Sequence, residues 1–305
     1  MAPLSRLHVS HSCTRLRRLT SRLAAEGFQW QKLTQTWRLG KEDRLDTVNV
    51  DASRALVKEV HNLVPFDRAS FVHDIGTGSG AVVAELIDYC GSQIPSEARI
   101  LATDVFPLML DEIKERQRLR LSEGNKLWEK VEIQEMNAEE MNGIEDNLTS
   151  HLLAGYLMYA LSDYKKMLSE VKRTLAPDGV FGYSVNIAYP WVTISGFISK
   201  VRPDKTAPYP PALWHTAESN TKVMEESGFK DVKATEVDLH VSYDSHEGMV
   251  DYLMDVLPFM PMLLEGLTEE ETGEYRDLMI EQLKKESPSL PGKMVGKGLI
   301  VTGRK

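Results

Sequence analysis

Short apolar runs alternate with helical stripes through the middle of this chain. Phe71 to Ile75 is an apolar entry, and Ala81 to Tyr89 follows it with Val82, Val83, Leu86 and Ile87 at helical spacing. The pattern then repeats. Arg99 to Asp104 predicts a second strand, Pro107 to Leu121 a helix, and Val131 to Gln134 a third strand. Leu148 to Leu161 reads as a buried strand and a helical turn. Tyr164 to Leu175 is amphipathic and stops at Ala176-Pro177-Asp178-Gly179, before a fifth strand over Val180 to Ile187. Strands alternating with helices predict a parallel sheet with helices on both faces.

The flanks read differently. Phe28 to Leu39 carries an aromatic stripe, and Asp51 to Val64 predicts a helix ended by Pro65. After the fifth strand, Tyr189 to Pro211 is a loop rich in proline and aromatic residues. Thr216 to Ser227 is a helix closed by Gly228, and Asp231 to Val241 is a strand. Residues 243–290 are mostly helical, with Met249, Tyr252, Leu253, Val256, Phe259, Met260, Met262, Leu263 and Leu264. Gly298 to Thr302 predicts a last strand. The organisation expected is a core over 28–242 and 296–305, a helical lid insertion over 243–295, and a basic extension over 1–27.

Charge and composition narrow the function. The net charge is −9, but residues 1–30 carry +4 and the remainder −13. An acidic body repels phosphate backbones, so no nucleic-acid partner is expected. The longest uncharged run, Gly179 to Ser199, is broken by Pro190 and holds several polar residues, so no stable membrane insertion is expected. Two cysteines cannot build a disulfide framework, and the eight histidines show no ligand spacing with Cys or acids, so no metal site is expected. The compartment expected is the cytoplasm. Arg6, Arg15, Arg17, Arg18 and Arg22, interleaved with Ser and Thr, also have the composition of a transit peptide, which would place the protein in the mitochondrial matrix. A cationic helix lying on the acidic body, or a variable extension, fits the same residues.

The candidate chemistry lies at Asp74-Ile75-Gly76-Thr77-Gly78-Ser79-Gly80. Glycine lets a turn take positive φ and lets a ligand approach bare backbone, and the helix behind it offers unpaired N–H groups. Gly76-x-Gly78-x-x-Ala81 also passes as a dinucleotide fingerprint. The acid two residues before the first glycine has no role there, and no His or Lys sits on a dehydrogenase motif.

Six pieces in order resemble the class I S-adenosylmethionine-dependent methyltransferases, and within them the small-molecule group of the ubiquinone-biosynthesis and secondary-metabolite type. They are the loop Asp74 to Gly80; Asp104 with Val105 to Leu110; Asn137 to Met141; Ala176 to Gly179; Leu213 to Glu218; and Glu226 to Val232. The resemblance runs from about Phe28 to Lys305. Leu148-Thr149-Ser150 departs from the usual Phe-Asp start of the fourth strand, and Ala154-Gly155-Tyr156-Leu157 stands where amino-directed enzymes carry Asn/Asp-Pro-Pro-Tyr. The fold implied is a Rossmann-like α/β sheet of seven strands, mostly parallel with the last strand antiparallel.

The resemblance implies S-adenosyl-L-methionine as cofactor, bound by Asp74, Gly76, Thr77, Gly78, Gly80, Asp104, Val105, Asn137 and Ala138. Asp104 can accept the ribose hydroxyls, and Asn137 can reach the adenine edge with the Ala138 N–H beside it. The partner expected is an apolar or aromatic small molecule under a roof built by Trp191, Phe197, Tyr209, Trp214 and the Met-rich insertion, although each of these also fits plain packing. His215, after the fifth strand, is the candidate general base, and also reads as an ordinary residue before a helix. His73 reads as a core residue. A non-methylating member of the fold, a regulator or a pericyclase-like protein, is the alternative.

Overall fold

The computed structural model describes residues 42–188, 190–257 and 259–305. Residues 1–27, the aromatic stripe over 28–39 and Tyr189 lie outside these. Strand β1 (Phe71–Ile75) is buried at all five positions, as a central parallel strand must be. It pairs in parallel with β2 (Arg99–Asp104) on one side and β4 (Thr149–Gly155) on the other. β3 (Val131–Glu135) continues beyond β2, and β5 (Leu175–Ala188) beyond β4. β7 (Gly292–Arg304) runs antiparallel between β5 and β6 (Lys230–Tyr243). The seven-stranded order is β3-β2-β1-β4-β5-β7-β6. It reverses between β1 and β4, and a reversal of this kind leaves a crevice at the carboxyl ends of the strands.

Helices cover both faces. On one, α1 (Glu42–Leu63) and α2 (Ala81–Cys90) pack Leu56, Val60, Val83 and Ile87 against Val72, Ile100 and Leu153, and α3 (Pro107–Ser122) adds Ile113. On the other, α4 (Tyr164–Thr174) and α7 (Ala217–Glu226) pack Leu168, Val171, Val223 and Met224 against Phe181, Tyr183 and Val301. Side chains fix the helix starts. Asp163 caps α4 by accepting from the Lys165 and Lys166 N–H groups, and Thr216 caps α7 through Ser219.

A third apolar cluster sits at the ligand end. β6 and β7 pair from Tyr243↔Gly292 downward, but β5 joins β7 only from Lys297 on. Their upper part is therefore a two-stranded ribbon standing beyond the sheet. It carries α8 (His246–Val256), α9 (Met260–Leu264) and α10 (Glu269–Glu286). Met249, Leu253, Phe259, Met260, Tyr275 and Met279 pack there against Leu239, Val241 and Met294 of the ribbon. Thr268 and Glu271 form a reciprocal capping box that starts α10.

Three segments differ from the sequence reading. α1 begins at Glu42, ahead of Asp51, because the polar stretch before Asp51 gives no apolar stripe. The expected loop up to Pro211 holds two short helices, α5 (Pro190–Ser195) and α6 (Ile198–Val201), with Trp191, Val192, Ile194 and Ile198 buried. Proline suits a first helical position, so Pro190 starts a helix where it was read as a breaker. The last strand starts at Gly292, not Gly298, because exposed Lys293, Val295 and Lys297 alternate with buried positions and dilute the apolar signal.

Candidate functional site

The loop after β1 is held by its own strands. The Thr77 N–H donates to the Thr103 carbonyl at 2.8 Å and ties the loop to β2. The Thr77 hydroxyl donates to Asp74 Oδ2 at 2.7 Å. The Gly78 N–H donates to Asp104 Oδ2 at 2.9 Å, and the Phe106 N–H to Asp104 Oδ1 at 3.0 Å. Buried Arg116, which sequence reasoning missed, donates from Nε to the Ser79 carbonyl at 2.6 Å. Asp74, Thr77, Gly78 and Asp104 are thus brought together at the ends of β1 and β2.

The three glycines do different jobs. All have positive φ: +62° at Gly76, +56° at Gly78 and +86° at Gly80. A Cβ on Gly76 would lie 2.7 Å from Leu157, and one on Gly80 would lie 2.8 Å from Ile113. Packing therefore requires those two. A Cβ on Gly78 would meet nothing within 4 Å. The backbone at Gly78 faces open space, with the Asp104 carboxylate directly beneath it. Val105, next to Asp104, is 47% exposed.

Burial sets the electrostatics. Asp74 is 1% exposed, and burial pushes its carboxyl up to about 7; the Thr77 hydroxyl opposes the shift and the Asp104 charge adds to it. Asp104 is also raised by burial, against the pull of the backbone N–H groups it accepts. His73 is a core residue, as read from sequence. Its Nε2 lies 2.9 Å from the Thr103 hydroxyl, and burial lowers its pKa to about 3.

The other expected residues are placed as follows. Asn137 is exposed and Ala138 buried, just beyond β3. Asn137 Oδ1 accepts the Glu139 N–H at 2.9 Å, so its carbonyl closes a turn and its amide NH₂ remains for other partners. His215 follows a 3₁₀ turn over Ala212–Trp214, and its buried Nε2 has no hydrogen-bond partner among the described residues. No hydrogen bond joins it to the Gly-rich loop. Of the expected roof, Trp191 and Phe197 pack in the cluster with the α8–α10 side chains. Trp214 does not. The 3₁₀ turn points it into the sheet core, edge-on to Tyr164 at 5.1 Å and Tyr183 at 6.3 Å. Tyr209 is exposed, with its hydroxyl 3.0 Å from that of Thr193.

Among the described residues, no group of three or more His, Cys, Asp or Glu side chains gathers as a metal site, and no helix is long and apolar enough to cross a membrane.

Comparison with known proteins places this arrangement. Residues 73–182 match the methyltransferase domain family. The chain is 31% identical over 252 residues to methyltransferase ucsB of an Acremonium species, covering 82% of this chain and 87% of that protein. A candidate methyltransferase from Bacillus halodurans shares the fold at 16% identity with a TM-score of 0.52, over 82% of this chain and 99% of that one. The MccD protein does so at 14% identity and a TM-score of 0.50, over 82% and 96%. With the loop and sheet seated as they are, that degree of identity over most of both chains makes this protein a member of the class I S-adenosylmethionine-dependent methyltransferases.

Proposed function

We propose that the protein transfers a methyl group from S-adenosyl-L-methionine to an apolar or aromatic small molecule held between the Gly-rich loop and the helices over 243–295. The observation that carries this reading is the pairing of Gly78 with Asp104: open backbone with a buried carboxylate hydrogen-bonded beneath it. The bound cofactor supplies an electrophilic methyl carbon on a sulfonium.

The chain supplies position and environment. Gly76, Thr77, Gly78 and Gly80 form the backbone cradle, and Asp74 braces it through Thr77. The Asp104 oxygens accept the Gly78 and Phe106 N–H groups and face the ribose hydroxyls in this reading. Val105 offers an apolar face for the base, and the Asn137 amide with the Ala138 N–H lies toward its polar edge. Holding the acceptor in line with the methyl carbon supplies most of the rate in a displacement of this kind. His215 is the proposed acceptor of the proton that leaves a hydroxyl, because its Nε2 is buried without a partner. Residues 1–27 are proposed to be dispensable for cofactor binding.

The test is methyl transfer from labelled cofactor to a metabolite extract, followed by mass spectrometry. Labelled small molecules are expected. Tight cofactor binding with no labelled product would favour a non-methylating protein. His215→Gln should lower turnover without changing cofactor affinity.

A further inference from the structure

Two polar atoms with no role in the cofactor cradle lie at the carboxyl ends of the neighbouring strands β4 and β5. The Tyr156 hydroxyl and Asn186 Oδ1 are both buried and have no hydrogen-bond partner among the described residues. Buried polar groups are nearly always paired, so an unpaired one needs a reason. Asn186 is 5% exposed.

Both side chains belong to one side of the sheet. Gly182 of β5 faces Val60 and Leu56 of α1. Side chains two apart on a strand share a face, so Ser184 and Asn186 look toward α1 as well. Gly155 pairs with Ser184, and the Tyr156 N–H donates to the Ser184 carbonyl at 3.1 Å and reaches its hydroxyl at 3.2 Å. The Tyr156 side chain packs against the cluster that joins α8–α10 to Ala52 of α1.

Tyr156 also sits at a junction. The next residue, Leu157, fills the space over Gly76 in the cofactor loop. One residue therefore touches the loop and its neighbour touches the lid helices. The chain makes this turn with Tyr156 at φ +55°, a conformation unfavourable for a bulky L-residue and concentrated at functional sites.

We propose that Tyr156 and Asn186 form the polar end of the acceptor subsite and together bind one neutral aromatic hydroxyl. Asn186 Oδ1 can only accept, so it needs a donor. The Tyr156 O–H needs a lone pair. A phenolic hydroxyl supplies both at one atom. A carboxylate does not suit the place, because negative charge is already disfavoured there: burial first, with Tyr159 and the Asp51 carboxylate adding to it, pushes the Tyr156 phenol well above its usual range. The acceptor thus carries an aromatic hydroxyl at this end, distinct from the hydroxyl whose proton passes to His215. The inference rests on the methyltransferase reading above and adds recognition of the acceptor by positioning residues.

The test uses the full chain loaded with S-adenosylhomocysteine, with 2-naphthol and 2-methoxynaphthalene as probes. Calorimetry is run on wild type, Tyr156→Phe and Asn186→Leu, and cofactor affinity is measured separately for each. Wild type should prefer the naphthol by roughly tenfold or more, the scale of a lost buried hydrogen bond. Each variant should shrink the preference to about twofold while keeping cofactor affinity, and Tyr156→Phe should melt no lower than wild type, because the hydroxyl it removes has no partner among the described residues. Binding of neither probe, equal binding of both by wild type, or a preference retained in the variants overturns the proposal. So does a fall of several degrees in the melting temperature of Tyr156→Phe, which would make its hydroxyl structural. Loss of cofactor binding in wild type would instead strike the methyltransferase reading.

Discussion

Between Asp74 and Phe106, backbone N–H groups are bonded to carboxylates and strand carbonyls at 2.8–3.0 Å. Between His246 and Leu283, apolar side chains pack on a two-stranded ribbon, and the buried polar link from Tyr275 runs to the Ser195 carbonyl at 2.9 Å. The first region fixes atoms, and the second supplies apolar volume. Hydrogen bonds and positive φ tolerate few substitutions, whereas an apolar cluster rich in methionine accepts many. A reaction that needs one constant cofactor and a selected acceptor is served by this division.

The contrast can be broken by substitutions, taken here from the largest expected effect. Gly78→Val puts a side chain into the open space over Asp104 and forces a β-branched residue to positive φ. Cofactor affinity in calorimetry should fall by about 100-fold or more, and wild-type affinity would remove the loop from the site. Met260→Ala, by contrast, acts on the apolar cluster built on the ribbon. Met260 is fully buried, so that cluster should lose about 2–5 kcal/mol of local stability, read as faster hydrogen exchange over 246–286. Acceptor turnover should change with it, and cofactor affinity should stay within about 0.5 kcal/mol. Joint loss of cofactor and acceptor binding would mean that the two regions are one unit.

Asp104→Ala should weaken cofactor binding by about 1–3 kcal/mol. It also strands the Gly78 and Phe106 N–H groups, so Asp104→Asn, which keeps an acceptor oxygen, should lose less stability. A pH dependence of stability is expected as well. Asp74 rises from 3.8 to about 7 on folding, so the native state holds the extra proton between those values and stability falls as pH rises through that window. His73 and His151 fall from 6.5 to about 3 and about 4, which gives the opposite slope below pH 6.5. Asp74→Asn removes only the first contribution. Relative to wild type it should gain about 3 kcal/mol between pH 4.5 and pH 8 in urea unfolding. A flat difference would mean that Asp74 is not strained by its charge.

The same contrast explains what was legible in the sequence. The Asp74–Gly80 loop, Asp104 and the alternation of strands and helices were readable because each rests on a local requirement of residue type. Trp214 was placed in the roof and lies in the sheet core, because composition does not say which way a 3₁₀ turn points an aromatic ring. Arg116, Leu157 and Ile113 escaped notice since their work is done across the fold: Leu157 reaches Gly76 from the far side of the strand-order reversal. The strained Tyr156 has no local signature either, because tyrosine seldom takes positive φ.

Hydrogen exchange of the full chain with and without S-adenosylhomocysteine tests the separation of the Gly-rich loop from the helices over 246–286 most directly. Slower exchange is expected at Gly76–Gly80 and at Val105 and Phe106, with the helices over 246–286 unchanged until an acceptor is added. Protection of those helices by the cofactor alone, with no change at Gly76–Gly80, would contradict it.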